Sequence, residues 1–137
     1  MNRSDAREKT FLLIYQYKFQ PDEMQTILKD FFEENNAGGQ REYIESTVLG
    51  VVEKIDEIDA ILSEYSTGRS YDRVSSVCLA LLRLGAYEII FNDDVPAPVA
   101  INEAVRLAKD YDGDECVAFM NGVLGNIKDS RKAGKDD

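Results

Sequence analysis

The chain has 137 residues, with 26 Asp and Glu against 16 Lys and Arg and 44% hydrophobic side chains, enough for one domain with its own core and too apolar for disorder. It contains no His, and its two Cys, at 78 and 116, form no CxxC or paired metal spacing. His-based triads and zinc sites are thereby excluded, and no metal or other cofactor is expected. No apolar run approaches the roughly eighteen residues of a membrane span, so a cytoplasmic protein with reduced thiols is expected, with no room for a second, catalytic domain.

The charge is unevenly placed. Residues 10–127 carry nine basic and twenty-one acidic side chains, whereas Arg3, Arg7 and Lys9 gather at the amino end and Lys128, Arg131, Lys132 and Lys135 at the carboxyl end. Ser4 and Asp5 are good helix caps, Glu8 stands three beyond Asp5 as in a capping box, and the apolar stretch that follows predicts a first helix to about residue 17. Arg3 and Arg7, four apart, project from one face of it. Pro21 suits a first helical turn, and Met24, Ile27, Leu28, Phe31 and Phe32 give an amphipathic second helix ending near Asn35. One stripe from Ile44 through Val48, Val51, Ile55 and Ile58 to Leu62 predicts a long third helix over residues 40–63.

Thr67, Gly68 and Ser70 break the pattern. Residues 74–91 are then apolar nearly all round, with Arg83 and Glu88 the only charges, which predicts a central helix where those two charges pair or cap. After the loop at Asn92 to Pro98, Ile101, Ala104, Val105 and Ala108 mark another helix. Gly113 and Asp114 open the last, with Cys116, Phe119, Met120, Val123, Leu124 and Ile127 inward. Nothing alternates with period two. The expectation is an all-α bundle of six or seven helices, arranged as two packed three-helix units within a single domain over residues 1–130, followed by a flexible charged tail over 131–137.

Several strings are similar to those of a known family. Ala6-Arg7-Glu8 with Leu12-Leu13-Ile14-Tyr15-Gln16 resembles the opening of the NusB family of transcription antitermination factors. Leu82-Arg83-Leu84-Gly85-Ala86-Tyr87-Glu88, Asp94-Val95-Pro96, Val99-Ala100-Ile101-Asn102-Glu103-Ala104-Val105, Leu107-Ala108-Lys109 and Phe119-Met120-Asn121-Gly122-Val123-Leu124 follow in that family's order. The resemblance implies a protein without enzymatic activity that forms a heterodimer with ribosomal protein S10. It implies that this pair binds boxA, a single-stranded RNA element, within antitermination complexes on RNA polymerase. The fold also occurs as the leading domain of RNA cytosine methyltransferases, but no catalytic domain is expected to follow it in this sequence, which sets that reading aside.

The resemblance also implies site residues. Arg3 and Arg7, with Lys9 nearby, match the arginine-rich stretch that contacts RNA phosphates, although Arg3-Ser4-Asp5 thins that run and a solvated helix start is the competing reading. Tyr15 could stack on a base or be buried. Glu115, or Asp114 one residue away, matches an acidic position on the RNA face, or simply complements a helix N-terminus. Tyr111 and Phe119 are aromatic where the family places aromatics near RNA, with Phe119 also on the inward stripe. Cys78 and Leu79 lie next to the face offered to S10, and with Arg69 they depart from the family's usual residues. Asn102 and Glu103, and Asn121 with Gly122, read as internal hydrogen bonding and close helix approach. An alternative to the RNA-binding reading is a protein-interaction bundle, a homodimer with weakened RNA affinity.

Overall fold

A helix apolar on every side needs neighbours on every side, and α5 (Ser76–Phe91) has them. In the computed structural model, which describes residues 1–66 and 71–136, α5 is packed by α1 (Arg3–Tyr15), α3 (Arg41–Glu53), α4 (Ile55–Glu64), α6 (Ala97–Tyr111) and α7 (Asp114–Asp136). Helix α2 (Met24–Glu34) lies on α3. Seven α-helices and no strand occur among the described residues, with α1, α2 and α3 forming one unit and α5, α6 and α7 the other. Phe11, Ile14, Ile44, Leu81, Leu82, Leu107, Met120 and Leu124 are each under 2% exposed in the shared core.

Several boundaries differ from the sequence expectation. Asn2, not Ser4 or Asp5, caps α1, its side chain accepting from the Asp5 amide at 2.7 Å. After Tyr15 the chain tightens into a 3₁₀ turn at Gln16–Lys18, and Pro21–Glu23 forms another before α2. The expected long third helix is two helices, broken at Lys54 (φ −100°, ψ 15°). No glycine or proline marks that break. The apolar stripe continues across it because α3 faces both α1 and α5 while α4 faces α5. Helix α7 extends to Asp136. Residues 67–70, including Arg69, lie outside the described residues.

Two glycines permit close approach. A Cβ on Gly50 would overlap the Tyr87 ring and hydroxyl, and one on Gly85 would sit 2.7 Å from Leu124 Cδ1. Gly122 has nothing within 4 Å of such a Cβ and, with Asn121, is exposed, so the close-approach role expected there belongs to Gly50 and Gly85 instead.

Helices α5, α6 and α7 run up, down and up, which places the first turns of α5 and α7 side by side. Cys78 and Cys116 are each the third residue of their helix, their Cα atoms are 6.0 Å apart, and their sulfurs are joined as a disulfide. The expectation of separate, reduced thiols is therefore corrected. Their separation by 38 positions hides an equivalent place on two parallel helices.

Candidate nucleic-acid interface

The amino end of α1 divides its charged residues between outside and inside. Arg3 is exposed, its guanidinium 4.1 Å from the centre of the Tyr43 ring and its Nε donating to Gln40 Oε1 at 2.6 Å. Lys9 is half-buried and makes no ion pair among the described residues. Arg7 points inward at 3% exposure, donating from Nε and Nη2 to the two carboxylate oxygens of Glu88 at 2.8 and 3.0 Å. Tyr43 donates its hydroxyl to the same carboxylate at 3.1 Å, and Glu103 stands 3.7 Å from Arg7 Nη1. Every face of the Arg7 guanidinium is thus occupied by protein, and Arg7 is withdrawn from the phosphate contacts expected of it. A bidentate arginine–carboxylate pair inside a core cannot turn outward without stranding Glu88, which is 1% exposed.

The electrostatics of this network follow from burial and pairing. Burial pulls the Arg7 guanidinium down, but the hydrogen bonds and charge of Glu88, with smaller contributions from Tyr43 and Glu103, leave it above its ordinary value. Burial, then the Glu88 charge, pushes the Tyr43 phenol well above the usual tyrosine value. Burial also acts to raise Glu103, yet the Ser4 hydroxyl at 2.7 Å, the Arg106 hydrogen bond and charge, and Arg7 hold its carboxyl below the ordinary range. Glu88 therefore pairs with Arg7 across the bundle and not with Arg83. On one helix those two residues are five apart and leave on nearly opposite faces. Arg83 instead makes a two-pronged pair with Asp59 of α4, both contacts at 2.9 Å.

The Ser4–Glu103 bond brings α6 alongside α1 and carries Arg106, 43% exposed and 2.9 Å from Glu103, to the same edge. Farther along that seam Tyr111, 39% exposed, sets its ring edge-on to Phe11 at 5.0 Å and donates its hydroxyl to Glu8, a bond that raises the phenol above its ordinary value. Tyr15 is half-buried against Phe19, ring centres 5.3 Å apart. Arg106 and Lys109 are exposed cations on α6 that were not among the residues expected from the sequence. Their spacing of three from each other, and of three between Arg106 and Glu103, is the signal that could have found them.

Beyond the α6–α7 turn, Glu115 is exposed, Phe119 is half-buried, and both line a cleft of about 150 Å³ with Arg73, Ser75, Cys78 and Asp112. Ser75 caps α5 by accepting from the Cys78 amide at 2.9 Å and donates its own hydroxyl to Asp112 at the end of α6. Cys78, expected at a partner-facing surface, is 2% exposed and bonded to Cys116, so it offers a partner nothing, whereas Leu79 beside it is half-buried. The structure thus brings Tyr111 to α1 and gathers Glu115 and Phe119 on the adjoining cleft, with Arg3 on the α3 side of the helix start. Larger grooves along α2 and α3 share no residue with this set. Among the described residues no group of three His, Cys, Asp or Glu could hold a metal, and no helix is long and apolar enough to cross a membrane.

Known proteins align with this chain over nearly its full length. The NusB family profile matches residues 4–129. The transcription antitermination protein NusB of Acetivibrio thermocellus is 42% identical over 128 residues, covering 93% of this chain and 88% of that protein. The NusB of Thermoanaerobacter sp. (strain X514) is 40% identical over 125 residues, covering 91% and 89%. Among solved structures, T. maritima NusB superposes with a TM-score of 0.84 at 32% identity, over 94% of this chain and 92% of that one. A chain of the crystal structure of antitermination factors NusB and NusE in complex with double-stranded RNA superposes at 0.82 and 30%, over 93% and 96%. With a family match over residues 4–129, 40% identity to a NusB over 91% of the chain and a TM-score of 0.84 to a solved one, this chain belongs to the NusB family.

Proposed function

We propose that the chain is a transcription antitermination factor that acts by binding and not by catalysis. In this reading it pairs with ribosomal protein S10 in the cytoplasm, and the pair holds boxA RNA within an antitermination complex on RNA polymerase. The observation that carries this reading is the chain-long likeness to a NusB solved together with NusE and RNA. The outward cations support it. Arg3 and Lys9 on α1, joined by Arg106 and Lys109 on α6, would meet phosphates, while Tyr15, Tyr111 and Phe119 offer ring faces and Glu115 an acceptor for base amino groups. Leu79 belongs to the surface offered to the protein partner. Few cations on a body this acidic give weak RNA binding alone, so the partner supplies the rest.

The test is a titration of boxA RNA with the protein alone, with S10 alone and with the two mixed, repeated across a salt series. The mixture should bind more tightly than either component, and Arg3→Ala and Lys9→Ala should each lower the salt slope by about 0.7. Absence of any salt-dependent RNA binding by the mixture would sink the proposal and favour a bundle that works through protein contacts, including a homodimer.

A further inference from the structure

Two cysteines whose sulfurs meet at the first turns of neighbouring parallel helices have no role in the binding chemistry above. Cys78 and Cys116 are 2% and 5% exposed, yet the cleft beside them, formed with Ser75, Asp112, Glu115 and Phe119, reaches solvent. A small oxidant can therefore arrive where a protein cannot. Each thiol lies at a helix N-terminus, where the dipole favours thiolate, and Arg73 on the cleft wall adds a cation while Asp112 and Glu115 oppose it. The same cleft wall carries two of the residues proposed to face RNA: Glu115 precedes Cys116, and Phe119 follows it by one turn.

We propose that Cys78 and Cys116 are a reversible thiol–disulfide site that ties the start of α7 to the start of α5 and thereby sets how firmly Glu115 and Phe119 are held. Its effect on RNA rests on the function proposed above. The oxidant is a hydroperoxide. The Cys116 thiolate attacks one peroxide oxygen, the O–O bond breaks, and after protonation water leaves, giving a sulfenic acid. The Cys78 thiolate then attacks that sulfur, the S–O bond breaks, and a second water departs, so two thiols and one hydrogen peroxide become one disulfide and two waters. A dithiol reverses the step by exchange, itself becoming a disulfide. In the reduced state the covalent tie between the two helix starts is gone, so the first turn of α7 is held by packing and backbone hydrogen bonds alone.

The experiment compares the full chain reduced with dithiothreitol and desalted against the same sample treated with stoichiometric hydrogen peroxide. Thiol alkylation and mass spectrometry should show both cysteines blocked, the mass of two hydrogens lost, and a monomer. Closing a loop across 38 positions should raise the melting temperature by about 5–15 °C, and amide exchange in the first two turns of α7 should slow. With S10 present, boxA RNA should bind about fivefold more tightly to the oxidised form. Cys78→Ala and Cys116→Ala should each abolish every one of these differences. Free thiols surviving the peroxide, intermolecular dimers, or identical melting and exchange in the two states would overturn the proposal, as would equal RNA affinity in two states that otherwise differ. If neither state binds RNA, the functional reading fails and the tie is still judged by melting and exchange.

Discussion

Replacing Arg7 by alanine tests whether this arginine is a structural pin. Glu88 is 1% exposed in the parent, and the substitution leaves its carboxylate with the Tyr43 hydroxyl as its remaining hydrogen-bond donor. Removing one partner of a buried ion pair costs about 3–5 kcal/mol, because the survivor keeps its desolvation penalty and loses its counter-charge. At about 2.1 cal/mol/K per residue the whole chain unfolds with an entropy near 290 cal/mol/K, so the expected fall in melting temperature is about 10–17 °C. Calorimetry and urea titration followed by circular dichroism measure it. Well below its melting point the variant should show the same salt slope for RNA as the parent, since no phosphate contact is removed. The triple replacement Arg7→Met, Glu88→Leu, Tyr43→Phe removes the buried ion pair and the phenol together and should recover most of the lost stability. A loss below about 1 kcal/mol for Arg7→Ala, or a shallower salt slope, would refute the reasoning.

Stability should fall at both ends of the pH scale. Tyr43 has its phenol raised, so its contribution is full below the ordinary value of about 10 and is lost as pH climbs through the higher folded value. Tyr43→Phe should flatten that alkaline decline in melting experiments and cost about 1 kcal/mol at neutral pH through the bond to Glu88. Glu103 is lowered, so its contribution is full above the ordinary carboxyl value and is lost as pH drops through the folded one; Glu103→Gln should make the acid limb of the melting curve shallower. Gly50→Ala should destabilise by about 1–3 kcal/mol because the new methyl meets a rigid ring, measured by urea unfolding. Gly122→Ala, in open space on a helix, should instead stabilise by about 0.5–1 kcal/mol in the same assay.

What could be read from the residues was the arrangement of apolar stripes. The all-round apolar segment ending at Phe91 is the central helix, and the stripes at Met24 to Phe32 and Ile101 to Ala108 are the helices of the flanks. Periodicity reports which side of a helix is wet, and it does so locally. It could not place the break at Lys54, where the stripe passes unbroken from one packing partner to another. Nor could it tell Arg7 from Arg3. Two arginines four apart look alike on a helix face, and the difference lies in a glutamate 81 positions away. The cysteine contact was hidden for the same reason, since it depends on two helices running parallel with matched starts. Glu115 and Phe119 could be nominated from the strings they resemble. Their sharing one cleft with Cys78 and Ser75 is a product of the three-helix unit.

Because α1 turns Arg7 inward while Arg3 stays on the surface, clipping off the amino-terminal segment is a poor way to ask what it does. A shortened chain would lose surface charge and the fastening of the first helix in a single stroke. Weakened binding by such a truncate would then report unravelling as readily as missing ligand contacts. Point changes at the outward positions alone keep those two consequences apart.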